Sequence, residues 1–123
     1  RYSTCDEFHA NSIHENEVCG IDIQLISDKI VRIKQKFLNN KEQSAIKNNP
    51  EELTIYWSCK EALFKIYGKK DAYLKDNMSI SEVQFNGSYG TAKGHIHINQ
   101  HQSNHQIGFL KLDDYMMAYV VNS

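Results

Sequence analysis

A chain of 123 residues, 41% hydrophobic and 24% charged, has the balance of an ordinary soluble globular protein and the length for one hydrophobic core, so residues 1–123 are expected to form a single domain. A formal net charge of −1 makes no electrostatic case for nucleic acid or an anionic membrane as partner, and any bound anion has to be met by a local site. No apolar run reaches the roughly 18 residues that span a bilayer, and no charged-then-apolar signal segment opens the chain. Cys5, Cys19 and Cys59 form an odd set without C-x-x-C spacing, which favours reduced thiols and a cytoplasmic setting over a disulfide framework or a zinc knuckle. The chain starts at Arg1 without a methionine, which leaves room for sequence upstream.

The first element is "EVCGIDIQLI", β-branched and apolar with a glycine inside it. Val18 to Leu25 reads as a buried strand with Asp22 as its anomaly. Ser27 or Asp28 is placed to cap a helix through "KIVRIKQKFL", where Ile30, Ile33 and Phe37 recur at helical spacing. "KEQSAIK" suits a short second helix. "NNPEEL" then supplies a strong start signal: a cap at Asn49, Pro50 at the first helical position and two acids in the first turn. After Gly68 the pattern changes to short alternating segments, "SISEVQF", "TAKGHIHI", "QIGFLKL" and "YMMAYVV", separated by the turns "NGSYG", "QHQSNH" and "DD". The order strand, helices, antiparallel meander predicts an α+β fold with helices on one face of a mainly antiparallel sheet.

The helix beginning at Pro50 carries the chemistry. On a wheel of about 100° per residue its apolar arc is very wide, and only Thr54, Ser58, Glu61 and Lys65 fill the polar sector. Lys60 falls inside the apolar arc, where an unpaired ammonium is costly to desolvate and requires either an anion or an escape of its head to water. Two readings follow. In one, Lys60 snorkels and Glu61 with Lys65 makes a common surface pair. In the other, both lysines reach a polyanion while Glu61 and Asp22 hold a magnesium ion, which takes one or two carboxylates, waters and phosphate oxygens. His95, His97, His101 and His105 cluster in "HIHINQHQSNHQ"; His95 and His97 share a strand face, an arrangement more often an exposed polar surface than a metal site.

"GIDIQ" (Gly20 to Gln24), "KFLNNKE" (Lys36 to Glu42) and "WSCKEALFK" (Trp57 to Lys65), in that order, resemble the motifs of the 4'-phosphopantetheinyl transferase superfamily, most closely the C-terminal half of its surfactin-synthetase-activating type. The resemblance spans Val18 to about Lys69. It implies transfer of the phosphopantetheine arm of coenzyme A to a serine of an acyl or peptidyl carrier protein, with adenosine 3',5'-bisphosphate leaving. It also implies Asp22 and Glu61 as magnesium ligands, Lys60 and Lys65 as contacts to coenzyme A phosphates, Lys65 and Glu61 as catalytic groups and Glu42 as general base for the serine. Gln24 stands where many members carry a further carboxylate, so its amide oxygen is the expected third ligand and a weaker one. Surfactin-type members have two similar halves, and His14 in "NSIHENE" does not fit the histidine motif of the first. The resemblance therefore implies half of a pseudo-dimer whose N-terminal half is missing here, or a homo-oligomer like the small carrier-protein synthases.

Overall fold

The computed structural model describes residues 17–122; the readings of Cys5 and His14 lie outside them. Strand β1 (Glu17–Leu25) is followed by helices α1 (Ile30–Phe37), α2 (Asn40–Ala45), α3 (Pro50–Tyr67) and α4 (Leu74–Asn77). Strands β2 (Met78–Phe85), β3 (Tyr89–Ile98), β4 (His101–Leu112) and β5 (Tyr115–Asn122) complete the order. All neighbours are antiparallel in one sheet of order β1-β5-β4-β3-β2. The architecture is α+β, as expected, with the meander β2 to β5 returning the chain beside β1.

Helix starts follow local hydrogen bonding. α3 begins as read: the Asn49 side chain accepts from the Glu52 amide at 3.1 Å, Pro50 occupies the first turn, and Gly68 ends the helix in the left-handed region at φ 77°. α2 has a reciprocal capping box, in which Asn39 accepts from the Glu42 amide and Glu42 accepts from the Asn39 amide. α1 starts later than expected. Its N-cap is Lys29, without a side-chain cap, because the Ser27 hydroxyl accepts the Lys29 amide at 3.3 Å within a preceding turn.

The turn between β3 and β4 is also shorter than "QHQSNH" suggests. The two strands stay paired up to Ile98 opposite His101, so Asn99, at φ 54°, and Gln100 make the turn. The polar run His101 to Gln106 hides the period-two signal on β4, while the backbone ladder continues regardless.

α3 fills the centre. Leu53, Cys59, Ala62 and Leu63 are buried against Ile96, Ile107, Phe109, Met116, Ala118 and Val120 of the sheet's inner face. Thr54 and Ser58, placed in the polar sector of the wheel, are also fully buried. Thr54 donates to Pro50 O at 2.6 Å and Ser58 Oγ lies 3.5 Å from Met116 O, so that stripe lies against protein rather than water. The outer face of the sheet is different: Ile23 is 53% exposed and Leu25 55%, in register with Met117 and Tyr115. That side carries an uncovered apolar strip. Cys19 is disulfide-bonded and Cys59 is a buried free thiol, which corrects the expectation of three reduced cysteines.

Candidate active site

β1 is brought onto α3 by a glycine. Gly20 sits at φ 60°, where the register with β5 shifts between Cys19 and Asp22. A Cβ at Gly20 would lie 2.4 Å from Ala62 O. No other residue type allows both the backbone angle and the close approach. Beyond this bulge Asp22 faces inward, 6% exposed, beside the α3 face that carries Glu61 and Lys65. Lys65 Nζ donates to Ile21 O at 2.7 Å and pairs with Asp22 Oδ1 at 3.2 Å.

Glu61 is partly buried. Its carboxyl is held above the ordinary carboxylate range, first by burial and then by the negative charge of Asp22, with Lys65 partly offsetting both. Among the described residues no hydrogen bond or ion pair engages that carboxylate. Two acids act on each other's charge at a strand–helix edge, and Lys65 is paired with one of them. The structure thus brings Asp22, Glu61 and Lys65 together.

This donor set fits a hard divalent cation. Like charges that disfavour each other's ionisation are relieved by a cation between them, and magnesium completes its shell with water and phosphate oxygens. No cluster of three or more His, Cys, Asp or Glu side chains suited to a metal gathers among the described residues. Gln24 does not supply the expected third oxygen in this arrangement. Its Nε2 donates to Asp22 Oδ2 at 2.9 Å, since residues two apart on a strand share a face and the nearest strong acceptor is that carboxylate. Gln24 holds the Asp22 carboxylate through that hydrogen bond.

Lys60 and Glu42 are placed elsewhere, and with each other. Lys60 is fully buried and does not snorkel. Its ammonium donates to Glu42 Oε1 at 2.6 Å, Phe37 O at 2.7 Å and Leu74 O at 3.0 Å, which uses all three of its donors. Glu42, 5% exposed, also accepts the Asn39 amide on Oε1 at 2.9 Å and the Ile80 amide on Oε2 at 2.8 Å. The anion that Lys60 requires is therefore internal. This lysine has no donor left for a coenzyme A phosphate, and the carboxylate expected to deprotonate serine is enclosed. The partners Asn39 and Ile80 were not anticipated, although the Asn-x-x-Glu spacing of a capping box was there to be read.

The remaining signals are weaker. His95 and His97 do share a face, with ring centroids 5.5 Å apart, and His95 Nδ1 lies 2.6 Å from Asn104 Oδ1. The Cys59 thiol is pushed far up by burial and then by Asp22, so it is inert as a nucleophile.

Two carboxylates with a lysine beside them, on an α+β scaffold, are chemistry that suits a metal-bound phosphate ligand. The chain belongs to the 4'-phosphopantetheinyl transferase superfamily: the model of that family matches residues 18–120, taking in nearly all of β1, helices α1 to α4 and the meander as far as Val120. The likeness read from Val18 to about Lys69 thus extends through the later strands. A comparison with curated proteins returned no match.

Proposed function

We propose that this chain transfers the 4'-phosphopantetheine arm of coenzyme A to the hydroxyl of a carrier-protein serine, with magnesium and with release of adenosine 3',5'-bisphosphate. The supporting observation is the convergence of Asp22 and Glu61 beside Lys65 within the stretch that matches the family. In this reading the serine oxygen forms a bond to the phosphorus bearing the pantetheine arm. The bond from that phosphorus to the bridging oxygen breaks, and the serine proton passes to a carboxylate. Glu61 is better placed for proton or metal contact than Glu42. Bound magnesium supplies charge neutralisation at the pyrophosphate oxygens. Lys65, partly exposed at the same edge, adds positive charge where negative charge builds. Asp22 stays oriented through Gln24 and Lys65.

The uncovered outer sheet face supports a reading of the assembly. Ile23, Leu25, Leu112 and Tyr115 are each about half exposed on neighbouring strands, and monomeric proteins rarely leave such strips open. A second half or a second copy of the chain laid on this face accounts for it and supplies the cations that a coenzyme A site needs beyond Lys65.

The test is incubation with coenzyme A, magnesium and an apo carrier protein, followed by intact mass. Gain of one phosphopantetheine arm on the serine, abolished by chelation, is expected. Binding of coenzyme A with no mass gain on any apo carrier would instead favour a non-catalytic relative.

A further inference from the structure

We infer that Lys60 and Glu42 are positioning residues that fix the rotation of α3 about its axis, and that neither touches coenzyme A or the serine. The inference rests on the reading of Asp22, Glu61 and Lys65 given above.

Successive residues on a helix are set about 100° apart, so fixing the direction of Lys60 fixes that of Glu61. Lys60 is held from three separate pieces of chain: Phe37 O at the end of α1, Glu42 Oε1 on α2 and Leu74 O at the start of α4. Glu42 is held in turn by Asn39 ahead of α2 and by the Ile80 amide of β2. The ammonium is thus triangulated, and the carboxylate that triangulates it is anchored to the sheet. With a side-chain radius of about 5–6 Å, a rotation of α3 by about 20° would carry the Glu61 carboxylate roughly 2 Å. A shift of that size separates two ligands of one magnesium ion, whose oxygens must sit at about 2.0–2.1 Å.

A substrate-contacting role would need a donor on Lys60 or an accessible lone pair on Glu42. The lysine is 0% exposed with its donors engaged, and the carboxylate is closed in by Lys60, Asn39 and Ile80. The hydrophobic arc of α3 is so wide that the apolar pattern by itself specifies its azimuth loosely. A polar contact with one satisfied geometry removes that ambiguity.

The experiment compares the parent, Glu42→Gln and the neutral double variant Glu42→Gln/Lys60→Met by thermal unfolding, magnesium titration and steady-state transfer. Glu42→Gln is expected to weaken magnesium binding by about tenfold or more, as loss of a ligand's supporting contacts does. The double variant should recover part of that loss, with the KM for coenzyme A near the parent value and the acid limb of the kcat–pH profile in place. Three results would overturn the inference: a folded Glu42→Gln with parent-like magnesium affinity and kcat down about 10²-fold or more, as for a lost general base; a double variant whose coenzyme A KM alone rises; or a double variant that cannot fold. If the parent binds magnesium but transfers nothing, the proposed function fails while the titration still decides the positioning role. If the parent binds no magnesium, both fall.

Discussion

Replacing Lys60 by methionine keeps an apolar stem of similar length and deletes the ammonium. Glu42 is then a buried carboxylate without its cation, and Phe37 O and Leu74 O each lose a donor. Removing one partner of a buried pair costs about 3–5 kcal/mol, because the remaining charge stays desolvated. Each abandoned carbonyl adds about 1 kcal/mol where water cannot replace the donor, with incomplete additivity. The expected loss is about 4–5 kcal/mol, against a total stability of about 5–15 kcal/mol for a domain of ordinary size. At roughly 4 °C or more per kcal/mol for a chain near this length, the midpoint should fall by about 15–20 °C. Urea unfolding followed by Trp57 fluorescence measures this directly, since its ring stands edge-on to Phe37 with centroids 4.9 Å apart. A loss under about 1 kcal/mol, the value of an exposed pair, would refute the burial argument.

Transfer should be abolished by Glu61→Ala and left nearly unchanged by His97→Ala, as read from the mass of the carrier protein; equal activity in Glu61→Ala and the parent would remove the proposed mechanism. The raised pKa of Glu61 means that the folded chain holds that proton more tightly than the unfolded one. Without metal, this group's contribution to stability falls as pH rises from the unfolded carboxylate value through the raised folded one, while magnesium affinity rises over the same interval. Thermal midpoints across mildly acidic pH, with and without magnesium, should diverge as pH increases, and parallel curves would contradict the assignment. Gly20→Ala forces a methyl group to within 2.4 Å of Ala62 O at a positive φ. A stability loss of about 1–3 kcal/mol should come with weaker magnesium binding, whereas a fully parental midpoint and affinity would mean that the bulge does not set the edge between β1 and α3.

The start of α3 was legible because Asn49, Pro50 and two acids write one message in four residues, and the meander because its turns carry Asn-Gly and Asp-Asp. Lys60 was legible as a problem and not as a solution. A helical wheel shows that an anion is needed but not which one, since Glu42 lies 18 residues away on a short helix whose position depends on the whole core. Gln24 is a similar case: its residue type permits an oxygen ligand, and only three-dimensional placement shows its amide nitrogen on Asp22. The β3–β4 hairpin ran longer than its composition suggested because the polar start of β4 carries no alternation, although it pairs with Ile96 and Ile98, which pack on the core.

The central claim is that Asp22 and Glu61 share one divalent cation. Diffraction from crystals soaked in manganese, recorded at the manganese absorption edge, tests it most directly. An anomalous peak within coordination distance of both carboxylates is the predicted result. A peak confined to the His95–His97 pair, or none between β1 and α3 at saturating manganese, would contradict the account.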